Sequence, residues 1–287
     1  MKRNIWVPVL LCMVLLTGCA ATEKPDEAAA QPPETGSTRA ETHDVLIRHE
    51  AETLNALIVN GAETGKLLLA GEGAGEVYIL DLEDAIVYLD GKRADAAQLE
   101  DGMTVEVVYE GEVSTSMPAQ IDQIDAVSAW SRGTEKNPSG TFYDLCGLYL
   151  KVLNDLWDEG VAYTADVRCV SVDLSDAPGE LSPAAKQAVA WSFASAHGME
   201  ALTLRKEELA AQGYLSGGAN TRKWKDGVLL CISADEWAEG ETYALPVIKF
   251  SATLWRANTQ RLTWAGCTAM WPELGSWSDY SRGEDPS

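Results

Sequence analysis

The run EVYILDLEDAIVYLDGKRADAAQLEDGMTVEVVY, residues 76–109, decides how the first half of this 287-residue chain folds. It breaks into short segments rich in β-branched and aromatic residues: Glu76 to Leu80, Ala85 to Leu89 and Thr104 to Tyr109. Asp90-Gly91 and Asp101-Gly102 supply turns. Only KRADAAQLEDG interrupts the pattern, and it reads as one helical turn ending at Gly102. Working outward, Thr53 to Val59, Lys66 to Ala70 and Ala119 to Val127 continue the same texture. Asn60-Gly61 and the glycine-rich stretch from Gly71 to Gly75 separate them. Five or six short strands around one small helix predict a small closed all-β barrel over residues 49–129.

The same stretch resembles the small OB-like module of Gram-positive lipoproteins. The resemblance rests on the Asp90-Gly91-Lys92 turn, on Leu99, Gly102, Val105 and Val107 at the next strand entry, and on Gly111, Ser116, Pro118, Ala119 and Ile121 at the exit. It implies an OB-like barrel and brings no catalytic residues with it. OB barrels that take up oligonucleotides use a basic groove with stacking aromatics. Here residues 41–129 carry 4 basic and 19 acidic side chains, so nucleic acid is excluded as a partner of this module.

Residues 130–140, WSRGTEKNPSG, read as a hinge. Beyond it the pattern predicts an α+β domain over 141–287, with helices on one face of an antiparallel sheet. A helix runs from Thr141 to about Asp158 and stops at Gly160; Phe142, Leu145, Leu148, Tyr149, Val152 and Leu156 recur at helical spacing. Asp166 to Leu174 reads as a strand. Ser182-Pro183 starts a second helix that ends at His197-Gly198. A third helix covers about Arg205 to Gln212, Val228 to Ile232 is a strand, and Tyr243 to Trp255 with Leu262 to Trp271 form a long hairpin. This half resembles an uncharacterised domain of lipoproteins from clostridia-like bacteria, through YLKVLNDLW at 149–157, VDLS at 172–175, His197-Gly198 and the Gly213-Tyr214-Leu215 segment. The resemblance implies no activity.

The N-terminus sets the expected location. Lys2 and Arg3 precede an apolar run, Ile5 to Leu16, too short to span a bilayer stably, so residues 1–18 read as a signal peptide. The segment ends in Leu16-Thr17-Gly18-Cys19, which resembles the lipobox of bacterial lipoproteins. The resemblance implies acylation of Cys19 (diacylglyceryl, palmitate-type chains), cleavage before it, and a protein held by the lipid bilayer at the outer face of the membrane. Residues 19–48, rich in Ala, Pro, Glu and Thr, then form a disordered linker reaching roughly 30 Å. After processing, 20 basic residues oppose 44 acidic ones, a net charge of −24, which keeps phosphate backbones and anionic head groups away and leaves cations and basic partners.

Four cysteines remain after the anchor: Cys146, Cys169, Cys231 and Cys267. In an exported protein they allow one or two disulfides, and free buried thiols equally. No pattern for a metal or cofactor appears. The strongest binding candidate is the last hairpin. A turn centred on Asn258-Thr259 sets Trp255 opposite Leu262 and Thr253 opposite Trp264, giving one surface of Lys249, Ser251, Thr253, Trp255, Leu262, Trp264 and Thr268. Trp255, Trp264, Thr253 and Lys249 on one face suit a small glycan or peptide. The expected function is a membrane-tethered, non-enzymatic binding or sensing module. The alternatives are a glycan hydrolase using carboxylates such as Glu200, Glu207 or Glu236, and a scaffold for an envelope complex.

Overall fold

The structure is a computed structural model of the chain; it describes residues 51–131 except 74, then 134, 144–236, 247–270 and 280–283. The expected signal peptide, Cys19, the linker, most of the hinge and the ends of the predicted hairpin lie outside the described residues. Residues 48–287 group as one compact unit.

Two sheets carry the fold. The first contains β1 (Glu52–Asn60), β2 (Lys66–Gly71), β3 (Val77–Asp81), β4 (Ile86–Leu89), β5 (Lys92–Arg93), β6 (Thr104–Tyr109), β7 (Ala119–Gln120) and β8 (Ile124–Trp130). Its order is β5-β4-β8-β6-β1-β2-β3-β7, a half-barrel. The predicted strand Ala119 to Val127 is two pieces, broken where Gln123 takes a positive φ of 57°. KRADAAQLEDG forms β5 and then a 3-10 turn, Ala96–Gln98, capped by Asp95, whose side chain accepts the Ala97 N–H at 3.0 Å.

Burial follows the side-chain period. Along β6, Val105, Val107 and Tyr109 point inward and the alternate residues are half-buried. β2 departs from that rule because every residue of Leu67–Gly71 is buried. Leu67 and Leu69 join the barrel cluster with Ile58, Leu80, Val87 and Val127. Leu68 and Ala70 face the other way and join the core of the second half. A strand covered on both faces reads as a continuous apolar run, as KLLLAG does.

The cover on that outer face is α2 (Pro183–Ala196). Ser182 caps it, accepting the Ala185 N–H at 3.1 Å, with Pro183 in the first turn. Ala184, Ala185, Ala188, Ala190 and Ala194 are buried, so α2 packs tightly against β1 and β2 on one side and the second sheet on the other. A helix apolar on most sides belongs between layers. Asn60 Nδ2 donates to Ser192 Oγ at 2.7 Å across this seam. Beside it runs α1 (Leu145–Glu159), capped by Asp144, which accepts the Gly147 N–H at 2.8 Å. A Cβ on Gly160, where α1 stops, would lie 2.5 Å from Leu254 Cδ1.

The second sheet comprises β9 (Cys169–Asp173), β10 (Glu200–Leu202), β11 (Leu215–Ser216), β12 (Lys223–Trp224), β13 (Gly227–Ala234), β14 (Val247–Ala257), β15 (Gln260–Met270) and β16 (Tyr280–Ser281). The expectation of an antiparallel sheet needs correction. β9 pairs in parallel with both β10 and β13, because the chain passes from β9 through α2 to β10 as a crossover unit. The helices also fail to share one face. α1 and α2 pack on the side of Val172, Leu230 and Leu254, whereas Leu209 of α3 (Lys206–Ala211) packs with Trp224, Leu229 and Trp255 in a separate cluster.

Candidate functional site

The predicted hairpin surface is split by the structure. Its turn stands as expected, with Ala257 opposite Gln260, and its far end also agrees, with Phe250 opposite Cys267 and Lys249 opposite Thr268. Between them the pairing is displaced by one residue: Trp255 faces Arg261, Thr253 faces Thr263 and Ala252 faces Trp264. Two bulges bound the displaced segment. At the first, β14 carries Arg256 as an extra residue, its guanidinium donating to the carbonyls of Tyr163 at 2.9 Å, Ala165 at 2.8 Å and Lys225 at 2.9 Å. At the second, Gly266 of β15 takes a φ of 64°, and its N–H donates to Asp235 Oδ2 at 3.0 Å, while Ser251 Oγ donates to the same carboxylate.

A one-residue slip moves side chains to the opposite face. Trp264 therefore enters the core with Ala252 and Leu254, 5 % exposed. Its Nε1 donates to Glu159 Oε1 at 3.2 Å, and the Arg282 guanidinium, which pairs with Glu159, lies 3.6 Å from its ring centroid. Trp255 is buried on the other side of the sheet with Trp224 and Leu229. Thr253 keeps the face of Trp255 and lies 3.2 Å, oxygen to oxygen, from Thr263. Lys249 is half-buried. The four residues do not form one groove.

The acids named for hydrolysis are also dispersed. Glu200 begins β10, beside the Gly227 end of β13, while Glu236 follows the opposite end of β13 roughly 30 Å along the strand, and Glu207 lies on α3. Asp173 holds the Ser175 hydroxyl, and Asp176 pairs with Arg205 at 3.1 Å. His197 caps α2 structurally, its Nε2 lying 2.9 Å from Asn154 Oδ1 beneath Trp157 and Phe193. The described cysteines are free thiols. Burial pushes Cys169 up to about 11 and Cys231 up to about 12, and raises Cys146 and Cys267 as well.

What the fold assembles instead is a cleft of about 600 Å³. Gln187, Trp191 and Ser195 line it from one stripe of α2, residues 199–204 form a wall, Gln212 closes one end, and Met117 reaches in from the loop before β7. That wall is the border of the second sheet. Among the described residues β10 pairs only with β9. The Glu200 N–H donates to the Arg168 carbonyl at 2.9 Å, and the Leu204 N–H donates to Ser171 Oγ at 2.8 Å. Even-numbered residues thus serve the sheet, and the alternation turns the N–H and C=O of Ala201 and Thr203 away from β9, toward the open edge, while the Met199 N–H donates to the Ala194 carbonyl at 2.8 Å. Glu200 is the single charged residue along the lining.

The hairpin drew the sequence reading because its tryptophans are conspicuous, and the cleft went unseen because β10 has only three residues. Its signal was present in Met199-Glu200-Ala201-Leu202-Thr203-Leu204, where Leu202 and Leu204 alternate with Thr203 just after the Gly198 stop. No family model, no curated protein and no solved structure matches this chain.

Proposed function

We propose that the chain is a lipid-anchored binding module of the outer membrane face that captures a short extended peptide along the free edge of β10. The observation that carries the ligand class is the unpaired strand edge inside a cleft. Alternating donors and acceptors at strand spacing are complementary to another backbone, whose N–H and C=O groups repeat at the same spacing. Residues 199–204 span about 17 Å, room for five or six peptide residues. Trp191, Met117 and Met199 offer apolar surface to alternate side chains of the guest. Glu200 and the net charge of −22 favour a cationic sequence.

The OB-like reading of the first half accords with the same architecture. β3 and β4 are separated only by residues 82–85, and β7 and β8 only by 121–123; the parallel pairs β3 with β7 and β4 with β8 therefore bring the sheet round toward closure. Anchoring at Cys19 rests on the Leu16-Thr17-Gly18-Cys19 sequence, and a Cys19→Ala chain is expected in the soluble fraction of cells. Its continued sedimentation with membranes would remove the anchor from the account.

Peptide capture is tested by fluorescence anisotropy with a labelled heptapeptide alternating lysine and valine. Saturable binding is expected, weakened about tenfold by Thr203→Pro, which deletes one outward N–H and leaves a guest carbonyl unpaired. Proline is tolerated at an edge position whose N–H faces away from the ladder, so the fold persists. Equal affinity of the variant would exclude pairing at this edge.

A further inference from the structure

On the opposite face of the second sheet, three cations gather around the cluster that holds Trp255. Lys206 Nζ stands 4.1 Å from the Trp255 ring centroid. Arg261 is the cross-strand partner of Trp255 and shares its face. Arg222 lies two residues before Trp224, which packs in the same cluster as Trp255, and its carbonyl accepts the Asn258 N–H at 3.1 Å beside the hairpin turn. Lys206 covers the ring from α3, Arg261 stands beside it on β15, and Arg222 and Arg261 are both near enough to Lys206 for their charges to act on it. Burial chiefly, with Arg222 and Arg261 adding to it, holds the Lys206 ammonium below its usual range against the opposing pull of Glu207.

None of the three makes an ion pair among the described residues, in a chain of net charge −22 with acids in ample supply. Three like charges gathered without an ion pair repel one another, as the effect of Arg222 and Arg261 on Lys206 shows, and a bound anion would relieve that repulsion. The Trp255 indole beneath Lys206 is part of the buried cluster. Its ring is 4 % exposed, and its Nε1 has no hydrogen-bond partner among the described atoms.

We infer that Lys206, Arg222 and Arg261 form a binding site for a dianionic oxyanion of the phosphate-monoester class, separate from the β10 cleft. Lys206 and the three charges that act on it, Arg222, Arg261 and Glu207, sum to a net charge of two, which matches a phosphate dianion. Two guanidinium forks give paired N–H donors to its oxygens, and the ammonium adds a point charge. A phosphodiester head group carries one negative charge and matches only half of the cluster's net charge, so the ligand is a soluble phosphate monoester.

The test is calorimetric titration of the full chain with inorganic phosphate at constant ionic strength, beside cosedimentation with phosphatidylcholine vesicles containing phosphatidylglycerol. Expected are saturable 1:1 phosphate binding and no enrichment on vesicles. Arg222→Gln with Arg261→Gln should weaken phosphate binding at least about tenfold, two charge-assisted contacts being lost. Lys206→Met, which keeps apolar cover over Trp255, should weaken it several-fold while circular dichroism and the urea midpoint stay unchanged. Absence of saturable binding, unchanged affinity in the double variant, or capture by vesicles without affinity for free phosphate would each overturn the assignment.

Discussion

Replacing Trp264 with alanine tests the displaced register of β14 and β15. The ring is 5 % exposed among Ala252, Leu254 and Tyr280, donates to Glu159 at 3.2 Å and is covered by Arg282. Burying an indole removes about 200 Å² from water, worth about 5 kcal/mol at about 25 cal/mol per Å². The cation over its face adds about 1 kcal/mol, and partial collapse of the cavity takes some back, so a loss of 3–5 kcal/mol is expected, in the range of about 3–5 for such truncations. In a unit of this size each kcal/mol lowers the melting temperature by about 2–4 °C, so the midpoint should fall by about 6–20 °C. Thr263→Ala, one residue away on the other face, should cost under about 1 kcal/mol. Urea unfolding followed by far-UV circular dichroism measures both. A loss below about 1 kcal/mol for Trp264→Ala would put the ring on the surface and refute the bulges at Arg256 and Gly266.

Three further outcomes follow from the packing and the ionisable groups. Leu68→Ala should cost about 2–5 kcal/mol, and unfolding should remain a single transition, since Leu68 belongs to the core shared with α1 and α2; two separated transitions would contradict that shared core. Cys169, with a pKa near 11, should hold about a hundredfold less thiolate at pH 8 in the native chain than in urea, and Cys231, near 12, about a thousandfold less, so both should react with a disulfide reagent far more slowly until the chain unfolds. Burial lowers the His197 pKa below its ordinary 6.5, so the unfolded state binds the proton more readily. Stability contributed at His197 is therefore full above pH 6.5 and is lost as pH falls through that value toward the lower folded pKa; His197→Asn should flatten the dependence of the urea midpoint between pH 7.5 and 5.5.

Local rules carried the sequence reading wherever one residue type answers one local demand. Ser182-Pro183 and Gly160 marked helix ends because an orphaned N–H needs an acceptor and a helix stop needs space. The alternation of Val105, Val107 and Tyr109 marked β6. Long-range demands were harder to see. Nothing adjacent to Arg256 announces that its guanidinium will bind carbonyls near residue 163, so the bulge it creates is invisible along the chain. Gly266 was legible in principle, because glycine inside a strand often marks a bulge. The parallel pairing of β10 depends on how α2 crosses the sheet, and three residues carry too little pattern to state it. Trp255 and Trp264 share one face only on an unbroken ladder, and the two bulges break it.

Hydrogen exchange at two amides addresses peptide capture at β10 most directly. The Ala201 and Thr203 N–H groups point away from β9 and should exchange rapidly in the free chain. On saturation with the lysine–valine heptapeptide, those two amides should slow by at least about tenfold, while Thr263 across the second sheet is unchanged. Saturable peptide binding with both amides still exchanging at their free rates would contradict strand addition at β10.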